Sequence, residues 1–380
     1  MQNAFKYLLL ISSNLLVIYT FAVIADFMIG KINFKGNEES KKIYYQMKSS
    51  QTKEGFKLKD YEPILFNKMF LNKDQIINVG GQPNKNVFYC NEGYGLIKYK
   101  ADRFGLRNED KNWDSLSDES KTRVMFVGDS YFHGACVHND DVISTKIQSY
   151  NDKELITYNI AMAGNNSIMN AYSIKVFLNK IKPKYLVIGI YANDRQKFLT
   201  DKYFYSQIDN INLSQEYFNN DREALNLSKS LVESIRKRRL ELYQKKDEYF
   251  SQQKGFFNRA KPYLRLSNLT NVLVFLKEKY FFRLPDDTKT LINIANKECK
   301  TFKCTPIFTF IPSSDYWNND KNQFIFKNHL EEYLESKKNI YLDFSKIIKF
   351  NDKNFYALKG GHLSPTSYNI ISKKIYNEIN

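Results

Sequence analysis

The chain has 380 residues, 43% of them hydrophobic and 26% charged, with 27 Tyr and 29 Phe; this is globular composition with ample core material, and it excludes disorder along most of the length. The net charge is +16, for which nucleic acid, an anionic surface and plain lysine-rich composition compete as explanations. The sequence holds no zinc finger, RRM signature or basic–aromatic repeat, so nucleic acid is not expected as a partner.

The first element lies between Lys6 and Lys31, where Asp26 is the only charge. Residues 7–25 make an uncharged helix of ~28 Å at ~1.5 Å per residue, enough for a bilayer core of ~30 Å. No small-x-small cleavage site follows, so residues 1–31 read as an uncleaved membrane anchor. Lys6 precedes the helix, and Lys31, Lys35, Lys41 and Lys42 follow it. The positive-inside count alone therefore points away from an exported main domain.

Residues 32–120 read as a polar tether, up to about residue 60, and an N-terminal extension with turn signals at Gly80-Gly81-Gln82-Pro83-Asn84 and Asn91-Glu92-Gly93. From Arg123 the pattern becomes regular. RVMFVG (123–128), LITYNIA (155–161), YLVIGIY (185–191), PIFTFIP (306–312) and IYLDF (340–344) are short apolar runs separated by helix-compatible segments. Strands covered on both faces read as continuous apolar runs, and strand–helix alternation implies a parallel sheet. The expectation for residues 121–380 is an α/β, three-layer flavodoxin-like sandwich around a five-stranded parallel sheet. A helical insertion at about 200–290 interrupts it over the sheet's carboxyl edge. Ser364 and Pro365 suit the N-cap and first position of the last helix, with Tyr368, Ile371, Ile375 and Ile379 on one face.

The chemistry is expected at the carboxyl ends of the strands. The first strand ends in Gly128-Asp129-Ser130, where a tight strand-to-helix turn lifts the Ser130 hydroxyl above the sheet. The second ends at Ala163-Gly164-Asn165 and the third at Ala192-Asn193-Asp194; Gly360-Gly361-His362 precedes the last helix. Ser130 supplies a nucleophile and His362 a base. The Ser130 N–H, the Gly164 N–H and the Asn193 amide supply oxyanion donors, the set that acyl transfer needs. Asp129 reads as a hydrogen-bonder of the turn, Asp194 as substrate-facing or a helix cap, and His133 as a surface residue or an alternative base.

These four blocks resemble the SGNH (GDSL-like) hydrolase superfamily over roughly residues 120–375. Lys100-Ala101-Asp102-Arg103-Phe104-Gly105-Leu106-Arg107-Asn108 is similar to the stretch found ahead of the Gly-Asp-Ser block in membrane-anchored envelope members. The resemblance implies Ser130 as nucleophile, His362 as general base, and Ser130, Gly164 and Asn193 as the oxyanion hole. It implies an esterase or acyltransferase acting on acyl or acetyl groups, often of surface polysaccharide. It also places the main domain outside the membrane, in the periplasm or beyond. Two positions depart from the pattern. Tyr191 stands where the third block often has Gly, and Lys359 stands three residues before His362, the usual place of the triad acid. Three accounts remain: a Ser–His dyad held by a backbone carbonyl, Asp343 or Asp352 reaching in, or a weak or inactive site that leaves a binding or assembly module.

The four cysteines, Cys90, Cys136, Cys299 and Cys304, include no C-x-x-C. With an exported domain, Cys90 is expected to pair with Cys136, beside the nucleophile helix; a disulfide and buried thiols are equal readings for Cys299 and Cys304. The His and Cys spacings do not suit zinc, and no Gly-rich phosphate loop appears, so neither metal nor nucleotide cofactor is expected.

Overall fold

A computed structural model describes residues 2–33, 37–64, 79–191, 194, 201–219, 229–252, 283–314, 321–348 and 354–380, with a few positions between 265 and 276. Asn193 and Asp352 lie outside the described residues. The chain forms two compact units: residues 1–50 with 239–282, and residues 51–238 with 283–380.

In the smaller unit, helix α1 (Gln2–Asn33) contains the window Ile11–Met28, long and apolar enough to cross a membrane by length and composition. Its Asp26 is fully buried and accepts the Leu269 N–H at 2.7 Å. Helix α2 (Asn37–Gly55) occupies most of the stretch expected to be a tether, and its residues up to Ser50 belong to this unit.

In the larger unit, the extension gives a small sheet of β1 (Glu62–Pro63), β2 (Asn86–Phe88) and β3 (Lys98–Lys100). The main sheet has β4 (Thr122–Val127), β5 (Leu155–Asn159), β6 (Tyr185–Tyr191), β7 (Thr305–Ile311) and β8 (Ile340–Asp343). All pairs are parallel, in the order β5-β4-β6-β7-β8. This is the 2-1-3-4-5 order of flavodoxin-like sheets, whose switch point lies at the carboxyl ends of the first and third strands, here β4 and β6. The strands fall where the apolar runs put them because both faces are covered. Val124 and Phe126 join the core on the side of Ile143–Tyr150 and Pro365–Ile379. On the other side lie Ser167–Ile181 and Asp286–Phe302, tied by the Lys175–Glu298 pair at 3.2 Å. Two helices of the insertion, Asp201–Ile208 and Leu213–Asn219, pack on Ser167–Ile181 through Phe204 on Tyr172 and Tyr217 on Phe177, each pair with ring centroids 5.5 Å apart. The last helix has Ser364 as its cap, accepting the Ser367 N–H at 3.2 Å, with Pro365 in its first turn.

The 102–108 stretch fastens the extension to the sheet. Buried Asp102 accepts from Phe104 N–H, Leu106 N–H, Asn108 Nδ2 and Trp113 Nε1, all within 2.8–2.9 Å. Asn108 in turn pairs with both backbone groups of Asn159 at the end of β5 (2.6 and 3.1 Å). Buried Arg107 donates to the carbonyls of Gly134 (2.6 Å) and Val137 (2.9 Å) and to Asn139 Oδ1. Asp102→Ala strands four donors, and each buried orphan costs about 1–3 kcal/mol before relaxation. The expected loss is about 3 kcal/mol or more, seen as a lower urea midpoint.

Candidate active site

The Gly128-Asp129-Ser130 turn is built by packing. Asp129 caps the short helix α3 (Ser130–His133) by accepting the Tyr131 N–H at 3.0 Å, the structural part expected of it. A methyl group at Gly189 of β6 would enter the Phe132 ring, so the helix sits directly on the sheet. Ser130, the first helical residue, has an N–H with no acceptor inside its helix. The loop after β5 lies alongside, because Met162 N–H donates to Gly128 O at 3.2 Å. In that loop Gly164 is exposed, with φ +81°, a conformation that favours glycine.

His362 arrives on a loop pinned by a Tyr356–Leu363 bridge and by Ala357 N–H to His362 O at 2.9 Å. Its Nε2 lies 3.0 Å from Ser130 Oγ. Its Nδ1 lies 2.8 Å from Glu92 Oε1, and its backbone N–H donates to Glu92 Oε2 at 3.0 Å. Both oxygens of this buried carboxylate are therefore held by the histidine it faces. The three side chains stand in series, hydroxyl to imidazole to carboxylate, the order in which an acid fixes the tautomer of a base.

Asp343, expected at His362, is not the carboxylate that faces it; Glu92 is. Asp343 instead accepts from Ser345 N–H at 2.9 Å and pairs with Lys327 at 3.3 Å, which fixes it at the end of β8. Lys359 is exposed, and its backbone N–H donates to Glu92 O at 2.9 Å. Lys359 thus meets the carboxylate that faces His362 through its main chain and not through its side chain. A local signal exists: the turn Asn91-Glu92-Gly93 directly follows Cys90, whose expected partner Cys136 lies just after Ser130–His133. That disulfide, Cys90–Cys136, is present, as is Cys299–Cys304. Cys136 Sγ lies 3.8 Å from His362 Nδ1; its bond to Cys90 removes it as a metal ligand.

His133 is fully buried, not on the surface. Its Nε2 faces Tyr99 OH at 3.3 Å, away from the role of a second base, and burial followed by the Arg107 charge pushes it well below the usual imidazole range. Tyr191 packs at a tilt on Tyr131 at 4.5 Å between centroids, and Tyr131 lies 5.3 Å from the His362 ring, so an aromatic pair borders the imidazole.

Asp194 is buried and accepts the Tyr191 N–H at 2.9 Å. Burial, and after it the charge of Asp129, push its carboxyl up to about 8. An unfolded Asp ionises near ~4, so between about pH 4 and 8 the folded state holds a proton that the unfolded chain has lost. Stability therefore falls as pH rises through that window and levels off above it. Asp194→Asn keeps an acceptor and removes the slope. Its urea midpoint relative to the parent should be higher at pH 9 than at pH 5; an equal difference at both would refute the assignment.

No family model and no curated protein matches the chain. Solved structures similar to it include a lipolytic protein of the G-D-S-L family from Desulfitobacterium hafniense, with 11% identity, TM-score 0.37, and coverage of 68% of this chain and 99% of that one. An acetylxylan esterase from Geobacillus stearothermophilus has 14% identity and TM-score 0.39, covering 69% and 95%. A family 3 carbohydrate esterase from Clostridium thermocellum has 14% identity and TM-score 0.34, covering 68% and 94%. Likenesses this distant carry no argument about what the chain does; its own residues do.

Proposed function

We propose that the chain is an SGNH-type serine esterase or O-acyltransferase. The reading rests on the series Ser130 Oγ, His362 and Glu92, with steps of 3.0 and 2.8 Å at the switch point of the sheet. In this reading Ser130 passes its proton to His362 Nε2 as Oγ attacks an ester carbonyl. Glu92 accepts from Nδ1–H, which leaves Nε2 bare for the proton and offsets the imidazolium charge. The amides of Ser130 and Gly164, with the Asn193 side chain, receive the oxyanion. The tetrahedral adduct collapses, the alcohol leaves with the proton from Nε2, and the acyl group stays on Oγ. Water as the next acceptor completes hydrolysis; a sugar hydroxyl completes transfer.

The substrate class we propose is an acylated, chiefly acetylated, glycan of the cell envelope. Its support is an anchor-length apolar helix and two disulfides, which suit an oxidising compartment outside the membrane. Residues 1–31 then anchor the protein, 32–120 carry the tether and the extension that supplies Glu92, and 121–380 carry the nucleophile, the oxyanion donors and the base. The full-length chain in detergent should hydrolyse p-nitrophenyl acetate, and a fluorophosphonate should label Ser130. Absence of both would leave an SGNH-fold scaffold that binds or assembles without chemistry.

A further inference from the structure

The acid comes from a segment 270 positions away from the histidine it serves, so something must place it there. Cys90, two residues before Glu92, is bonded to Cys136, which follows the nucleophile helix. Lys359 N–H holds Glu92 O from the histidine loop. Gly360 leaves the space: a Cβ built there would land inside the Glu92 carboxyl group, and the three atoms nearest to it are Cδ, Oε2 and Cγ of that residue. The backbone of Gly360 lies outside the left-handed region, so alanine is excluded by Glu92 and not by its own φ.

We propose that Gly360 and the Cys90–Cys136 disulfide are positioning residues of this hydrolase, acting through Glu92. The pair forms a clamp, with a covalent tie on one side and a vacated methyl position on the other, and it seats the carboxylate on His362 Nδ1. This rests on the esterase reading for its kinetic consequence but not for its geometry. Because a side chain at 360 is harmful only while Glu92 occupies the space, the effect must vanish when Glu92 is gone. A purely structural glycine would cost the same in either background.

The experiment is a cycle on the full-length chain: parent, Gly360→Ala, Glu92→Ala and the double variant, with Cys90→Ser/Cys136→Ser run beside them in both backgrounds. Turnover of p-nitrophenyl acetate and the far-downfield Nδ1–H proton resonance of His362, assigned by His362→Gln, are read together. Gly360→Ala should lower kcat by ~10²-fold or more with KM little changed, and the resonance should be lost. In the Glu92→Ala background the same change should alter kcat by less than about threefold. The serine pair should follow the same pattern. Equal losses in both backgrounds, or a Gly360→Ala chain that keeps the resonance, would overturn the proposal. A parent that shows the resonance, loses it in Gly360→Ala and yet has no turnover would instead sink the esterase reading and leave the clamp standing. Thermal midpoints of all variants separate unfolding from misplacement.

Discussion

Ser130→Ala lowers kcat/KM for p-nitrophenyl acetate by at least ~10³-fold and abolishes fluorophosphonate labelling, while the thermal midpoint stays within a few degrees of the parent. The size follows from what is removed: in the proposed reaction Oγ is the atom that makes and breaks the acyl bond, and it stands 3.0 Å from His362 Nε2. The mild effect on stability follows from the turn, because the cap of the short helix is Asp129 and the packing is carried by Phe132 on Gly189. His362→Ala should cost about the same, and the double variant little more, since nucleophile and base act as one unit. An Ser130→Ala chain that hydrolyses the ester at the parent's rate would end the proposal outright.

The sheet was legible because its signal is local. Each of the five strands is a mainly apolar run without strict alternation, and covering on both faces is what removes the alternation of a half-exposed strand. Ser130, Gly164 and His362 were legible for a related reason: each follows a strand end or precedes a helix cap that the sequence marks with Gly, Asp or Ser–Pro. Glu92 carries no such mark. It sits in an irregular segment, and its role depends on three distant facts: a disulfide to Cys136, a hydrogen bond from the Lys359 main chain, and the missing side chain at 360. Only the first is legible in the sequence, and a pairing of Cys90 with Cys136 does not by itself show where the side chain two residues later points. His133 misled in a similar way. Helical spacing shows which face of a short helix it shares with Ser130, but the extension that buries it, through Tyr89 and Tyr99 at 5.5 and 5.6 Å between ring centroids, comes from outside the regular pattern.

Glu92→Gln lowers kcat by ~10²–10⁴-fold with a small change in KM, while Asp343→Asn stays within about threefold of the parent. The two carboxylates test the same question from opposite sides. Glutamine keeps the shape of the Glu92 side chain, so the turn after Cys90 and the fit at Gly360 survive. It offers a neutral carbonyl where a carboxylate met the imidazolium, and its NH₂ can favour the tautomer that leaves Nε2 protonated and unable to accept the Ser130 proton. The loss therefore falls on the chemical step and not on substrate binding. Asparagine at 343 still accepts the Ser345 N–H, because Asn and Asp cap equally well. It loses the Lys327 pair, which affects stability at the end of β8 and leaves the ring of His362 untouched. If Asp343→Asn is the variant that collapses and Glu92→Gln the one that survives, the acid has been misassigned and the clamp around Glu92 is only a fold contact.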